Sequence, residues 1–333
     1  MEYRPLGRTG LKISALSLGC FNFGRRADQR ESSSMLHRAL DAGINAIDTA
    51  DSYAAGASEQ MVGAALAETG ARSRVLLTTK VHFPVTEGDV NSRGNSRRYI
   101  LAACDASLRR LRTDWIDVYM VHRPAPDTAI DETLGALDDL IRAGKVRYAG
   151  TSTFAAWQIV EGLWSARDLG LPRITVEQPP YNLLDRRIER ELLPMATTFG
   201  IAIVVWSPLA RGFLTGRFSQ GSPLVNTRLA DNPHTAEDHQ KPPALRVLEA
   251  LSVIAADRGV PTCQVALGFC LARPTIASVI LGPRNAEQLD QLIPAAGVRL
   301  SAEEMQRLDE VAKPGRAIIP YYEADFGASS HRV

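Results

Sequence analysis

AIDTADSYAAGASE, residues 46–59, opens as a short apolar run and breaks abruptly into Asp48, Asp51 and Tyr53 before a polar, Gly-bearing turn. A buried strand that hands over at its end to polar groups and then to an amphipathic stretch is one unit of an α/β fold. The same unit recurs along the chain. Short apolar, β-branched runs occupy 14–19, 45–48, 75–80, 116–122, 146–151, 174–178, 201–206 and 278–281. Between them lie helical patterns such as SSSMLHRALDAG, SEQMVGAALAETG, SRRYILAACDASLRRL, DETLGALDDLIRAGK and DRRIERELLPMATTFG, several opening on a Ser or Asp cap and closing on Gly. Eight strands with eight crossovers in 333 residues match a (β/α)8 TIM barrel better than a doubly wound sheet.

Two segments depart from the repeat. EYRPLGRTGLKIS, within residues 1–14, alternates around a Gly-bearing turn and predicts a β-hairpin that closes the N-terminal end of the barrel. Residues 212–243, beginning GFLTGRFSQGSPLVNTRLADNPHT, are too long for an ordinary βα loop and predict a mobile loop after strand 7. No other Pro/Gly-rich linker or charge block divides the chain, so residues 1–333 are expected to form one barrel domain.

Composition narrows the function. The chain is 45% hydrophobic and 23% charged, and 38 basic residues balance 37 acidic ones to leave +1, which argues against a nucleic-acid or membrane surface. The four cysteines form no CxxC pair and read as packing residues of a reducing compartment. MEYRPLGRTG carries neither an apolar signal core nor an Arg-rich transit pattern, and no run of about 18 apolar residues occurs. The cytoplasm is the expected location.

In a (β/α)8 barrel the loops after the strands build the active site. Here the second strand ends at Asp48, the third at Lys80, the fourth at His122, the fifth at Thr151-Ser152, the sixth at Gln178 and the seventh at Trp206-Ser207. Strand interiors such as VLLTT are apolar, so ionisable groups gather at one rim. A phenol with an ordinary pKa of about 10 is a poor donor at neutral pH, but an ammonium stabilises its phenolate and an imidazole shares its proton. Tyr53, Lys80 and His122 supply that set, and Asp48 can hold the ammonium in place. With no obvious nucleophile among them, the group suits carbonyl reduction or alcohol oxidation. A strand-end lysine also admits a Schiff-base lyase using Lys80. A metallohydrolase is disfavoured, because neither HxH nor HExxH occurs, and no metal is expected.

At these residues the sequence resembles an aldo-keto reductase, from the first hairpin to the final helix. Asp48-Thr49-Ala50-Asp51-Ser52-Tyr53 is similar to the family's D-T-A-x-x-Y signature. The resemblance implies that Tyr53 is the general acid and that Asp48, Lys80 and His122 complete the tetrad. It implies a nicotinamide cofactor, NADPH with NADH possible, lying extended across the barrel mouth without a Rossmann glycine fingerprint.

The implied cofactor contacts fall one by one. GTSTF (150–154) resembles G-x-S-N, so Ser152 is expected at the carboxamide, with Thr153 where Asn is usual. Gln178 in VEQPPYNLL is expected to hold the same carboxamide. WSPLARG (206–212) resembles Y-S-P-L-x-x-G, which places Trp206 against the nicotinamide and Ser207, Leu209 and Gly212 near the pyrophosphate. In LGPRNAEQL (281–289), Gly282 would allow close backbone approach, Arg284 would pair with a 2′-phosphate and Gln288 would meet the adenosine, with Leu292 where Asn is frequent.

The expected substrate is a small carbonyl compound or its alcohol, in a pocket walled by Phe21, Phe23, His82, Phe83 and Tyr321. Because the resemblance extends to potassium-channel β-subunits, a cofactor-binding regulatory role is the rival reading. Asp51 and Glu59 read as cap or turn residues, and Arg97, Arg98, Arg109, Arg110 and Arg112 as a solvated helix face. Oligomeric state is not legible from a single chain.

Overall fold

In the computed structural model, residues 1–85, 88–218, 229 and 233–320 are described. The hairpin comes first, with β1 (Tyr3–Pro5) antiparallel to β2 (Lys12–Ser14). There follow β3 (Leu16–Gly19), α1 (Gln29–Asp41), β4 (Ala46–Asp48), α2 (Ala57–Thr69), β5 (Leu76–Val81) and α3 (Arg97–Leu111). The middle of the chain forms β6 (Ile116–Val121), α4 (Ile130–Arg142), β7 (Val146–Ser152), α5 (Ala156–Leu169), β8 (Ile174–Gln178) and α6 (Leu192–Phe199). Then come β9 (Ala202–Val205), α7 (Pro233–His239), α8 (Pro242–Arg258), α9 (Thr262–Leu271), β10 (Ile276–Leu281), α10 (Ala286–Leu292) and α11 (Ala302–Val311).

Strands β3 to β10 pair in chain order, all parallel, and β10 returns to β3 with Val279 beside Leu16 and Leu281 beside Leu18. The sheet is a closed eight-stranded (β/α)8 barrel, as expected. Helices take their hydrogen-bond starts from the sequence: Asp28 accepts from Glu31 N at the head of α1, and Ser96 from Tyr99 N at the head of α3. Leu6 and Ile13 of the hairpin pack with Ala46, Val118, Val176, Ala202 and Ala277 from the strand interiors. Arg4 also ties β1 to Ile276 O at 2.7 Å and Leu271 O at 3.0 Å. The hairpin therefore plugs the floor of the barrel and leaves the opposite rim for chemistry.

Two expected elements are divided. The run 14–19 splits because the Ser14 N–H is taken by the Asn45 side-chain oxygen and Ser14 Oγ donates to Leu16 O, so the chain turns there before entering the barrel. DRRIERELLPMATTFG yields only α6, preceded by a short 3-10 turn at Arg187–Glu189. There Arg186 is fully buried and spends its fork on Glu189 and Asp309, while Arg187 is held by Asp185. Of the expected loop after strand 7, residues 219–228 and 230–232 lie outside the described residues. Its described parts are a 3-10 stretch at Ala210–Thr215 and α7.

Candidate active site

Side chains along a strand alternate between faces, so every second residue returns to the barrel interior. Ala46, Val118, Val176 and Val204 belong to the inner apolar cluster, with Leu76 packed against it. Continuing by twos from these positions along each strand leads to Asp48, Lys80, His122, Gln178 and Trp206. The polar residues at the rim are thus the top layer of the same inward-facing register whose lower layers are apolar.

Lys80 Nζ, fully buried, donates to Asp48 Oδ1 at 2.7 Å and to Thr49 O at 2.7 Å, and lies 3.4 Å from the Tyr53 hydroxyl. Gln178 Nε2 donates to the other carboxylate oxygen, Asp48 Oδ2, at 2.7 Å. The His122 ring meets Tyr53 edge-on with centroids 5.8 Å apart. Ser152 Oγ and Trp206 Nε1 both donate to Gln178 O, at 2.9 and 3.1 Å, which locks the ends of β7, β8 and β9 together.

Burial and these neighbours set the protonation states. Burial raises the Tyr53 phenol, and the nearby Lys80 ammonium offsets this only in part, so its pKa lies above the ordinary value. The ammonium does favour phenolate, as expected, but burial outweighs it, and at rest the hydroxyl keeps its proton. Burial pulls the Lys80 ammonium down, but the Asp48 carboxylate and Tyr53 more than reverse it, so Lys80 stays charged. His122 is driven well below the usual histidine range by burial and by the charges of Lys80 and Arg123, and is a neutral imidazole.

A cavity of about 940 Å3 opens over this group. Its wall includes Asp48, Tyr53, His122, Ser152, Gln178, Trp206, Ser207, Leu209, Gly212, Gly282, Arg284 and Gln288, so twelve of the thirteen expected catalytic and cofactor residues share one hollow. The thirteenth, Lys80, stands behind Asp48 and Tyr53. Non-glycine residues in the left-handed region gather here: Ala54, Ala55, Thr153, Ser207, Ala210 and Arg211, with only Arg112 elsewhere among the described residues. Such backbone persists where surrounding contacts hold it, and it favours functional loops. Gly212 (φ 96°) serves the same loop, and at Gly282 a Cβ would meet nothing within 4 Å, leaving the backbone open to the cavity.

The substrate wall is only partly as expected. Phe21 and Phe83 line the cavity. Phe23 does not: it is fully buried in the outer core, because the chain turns after β3 and leaves only Phe21 at the mouth. His82 turns away to Asn95, with Nδ1 2.9 Å from Oδ1. Tyr321 lies outside the described residues. The sequence reading also missed Arg25 and Arg123 on this wall, although Arg123 directly follows His122 at a strand end. Asp51 lies in the turn before α2 and Glu59 in that helix's first turn, as expected, but neither faces solvent. Both are fully buried, and Glu59 binds Arg110 and Thr79 at 2.6 Å each, which takes Arg110 off the solvated face. Among the described residues neither Asp51 carboxylate oxygen has a hydrogen-bond partner, and burial, with Glu59 beside it, raises its pKa well above the carboxylate range.

The profile of the Aldo/keto reductase family matches residues 15–313. The chain belongs to that family. This aldo/keto reductase is 37% identical over 325 residues to a probable voltage-gated potassium channel subunit beta of Oryza sativa, covering 95% of this chain and 98% of that protein. It is 37% identical to the uncharacterized oxidoreductase YrpG of Bacillus subtilis, covering 93% and 96%. It is 31% identical to the L-glyceraldehyde 3-phosphate reductase of Escherichia coli, covering 93% and 92%. The protein is an oxidoreductase of a family that works with nicotinamide dinucleotides. Among the described residues, no helix is long and apolar enough to cross a membrane, and no group of three or more His, Cys, Asp or Glu residues could hold a metal ion.

Proposed function

We propose that this enzyme reduces an aldehyde or ketone to its alcohol with NADPH, reversibly, with Tyr53 as the proton donor. The observation that carries the reading is the contact chain Asp48–Lys80–Tyr53, with neutral His122, on the wall of a cavity large enough for a dinucleotide. The cavity fits that group: Trp206 offers an aromatic face, Gly282 an open backbone, and Arg211, Arg217 and Arg284 the charge that phosphates need. Bound nicotinamide supplies hydride to the carbonyl carbon. Tyr53 gives its hydroxyl proton to the carbonyl oxygen, and the Lys80 ammonium 3.4 Å away stabilises the phenolate left behind. Asp48 holds Lys80 charged, and His122, neutral, offers the carbonyl oxygen a second polar neighbour.

Relatives named as reductases in Escherichia coli and Aspergillus parasiticus support a turnover role. The 37% identity to a plant protein named as a channel subunit keeps a cofactor-sensing role as the second reading. The Lys80 ammonium, paired with Asp48, is a poor Schiff-base nucleophile. The deciding experiment is Tyr53→Phe: turnover of aldehydes should fall by about 10² or more while NADPH still quenches tryptophan fluorescence with near wild-type affinity. Full turnover in that variant, or none in the wild type across a carbonyl panel, removes the reading.

A further inference from the structure

The hydrogen-bond ladder between β8 and β9 continues past the ends of both strands. Trp206 N donates to Pro179 O at 3.0 Å, and Tyr181 N donates to Trp206 O at 3.2 Å. Pro179 and Pro180 have no N–H of their own, so this edge is short of donors. The next rung is a side chain: Asn182 Nδ2 donates to Ser207 O at 3.1 Å. Its other end is also engaged, with Oδ1 accepting from Leu184 N at 2.8 Å and from Asp185 N at 3.2 Å. Two backbone donors on one side and a carbonyl on the other decide which way the amide points, and the residue is fully buried. The turn that it caps is fastened in its turn to the C-terminal segment, because Leu184 O accepts from Ile318 N at 2.8 Å and from Ile319 N at 3.1 Å.

The residue at the far end of this bond is strained. Ser207 has φ 54°, in the left-handed region, and opens the loop in which Ala210, Arg211 and Gly212 are left-handed as well. Its carbonyl oxygen also accepts from Ala210 N at 3.1 Å, so a single atom joins the start of that loop to the buried Asn182. Ser207, Leu209 and Gly212 in turn line the cavity.

We propose that Asn182 is a positioning residue for the dinucleotide: by pinning Ser207 in its left-handed conformation, it keeps the Ser207–Gly212 loop preformed to receive the pyrophosphate. A loop held in its binding conformation beforehand spares the complex the cost of ordering it. The inference rests on the reading that this loop meets the cofactor's pyrophosphate.

The test compares two substitutions. In Asn182→Ser the hydroxyl can still cap the turn before Leu184 but is too short to reach Ser207 O, whereas Asn182→Ala loses both roles. NADP+ affinity, measured by calorimetry, should weaken about tenfold in each, the cost of one buried hydrogen bond. The KM for NADPH should rise by a similar factor while kcat at saturating cofactor stays within about twofold of the wild type. In the cofactor-free proteins, hydrogen exchange should quicken over residues 207–214 and stay as in the wild type over β8 and β9. In a Ser207→Gly background the same substitutions should cost less affinity, because glycine takes this conformation without strain, whereas a role in general packing costs the same in both backgrounds. Unchanged NADP+ affinity in Asn182→Ser, or an equal loss in the two backgrounds, overturns the proposal and leaves the cofactor reading intact. Wild-type protein that binds no NADP+ overturns the cofactor reading, and the proposal with it.

Discussion

Gln178 Nε2 lies 2.7 Å from Asp48 Oδ2, so a residue expected to hold the cofactor's carboxamide also shares the carboxylate that anchors Lys80. If Gln178 also holds the carboxamide, cofactor binding and proton transfer are linked through one carboxylate. Gln178→Leu would remove the proposed carboxamide contact and, among the described residues, one of the two side-chain donors to Asp48. Turnover should fall and NADPH affinity weaken together, each by about tenfold, the cost of a buried hydrogen bond. Steady-state kinetics and fluorescence titration separate the two. Weaker binding with unchanged kcat would show that Asp48 holds Lys80 without this second donor.

Lys80 and Asp48 are both buried, so their ion pair is costly to break from one side. Lys80→Met leaves the carboxylate without its cation and should destabilise the fold by roughly 3 to 5 kcal/mol while abolishing most turnover. The double variant Asp48→Asn, Lys80→Met should recover much of that stability and none of the activity. Thermal unfolding and kcat of the three proteins test this. Recovery of turnover in the double variant would place the pair outside the chemistry.

The barrel and its rim were legible because strand period and strand end coincide: each polar residue that terminates an apolar run also faces inward. Asp48, Lys80, His122, Gln178 and Trp206 could therefore be found by counting along the chain. What was not legible depends on contacts across the sequence. Phe23 and Phe21 are alike in type, and only the bend after β3 decides which one meets the cavity. Arg110 belongs to an apparently solvated arginine run until Glu59, 51 residues earlier, is brought against it. Nothing in the sequence singles out Arg123, which gains its place on the wall only when Phe83 and Trp206 are brought near it. Tyr53 shows the same limit in electrostatics, since proximity to Lys80 predicts a lowered pKa and burial outweighs it.

Arg284 stands at the cavity's far end, with its backbone N–H bonded to Gln288 Oε1 at 3.0 Å, and borders a second hollow beside Arg26 and Glu31. If its guanidinium meets a 2′-phosphate, wild-type protein should prefer NADPH over NADH by about tenfold or more. Arg284→Ala should erode that preference chiefly through the NADPH KM, and higher ionic strength should do the same. Equal use of the two cofactors by the wild type would sink the assignment.

Glu177 gives a pH prediction whose sign is fixed by its surroundings. It precedes Gln178, is fully buried, and accepts from Thr151 Oγ1 at 2.6 Å and Phe154 N at 3.1 Å. Burial outweighs those hydrogen bonds and raises its pKa from 4.5 to about 7. Between these values the folded protein keeps a proton that the unfolded chain has released. Stability from this group is therefore fully present below the unfolded value, declines as pH rises through the window, and is lost above the folded value. From pH 5 to pH 8 the loss should be on the order of 2 kcal/mol. Glu177→Gln keeps the length of the side chain and an acceptor for Phe154 N but cannot ionise. Its stability relative to the wild type should therefore rise across the same interval, while contributions from other titrating groups cancel in the comparison. Denaturant unfolding of both proteins at several pH values measures this difference. Parallel profiles would mean that Glu177 is ionised throughout, held as a carboxylate by the donors at the end of β7. A rising difference would place a neutral acid directly behind the Ser152-Thr153 turn, where its loss of a proton near neutrality would load the backbone that shapes the cavity wall.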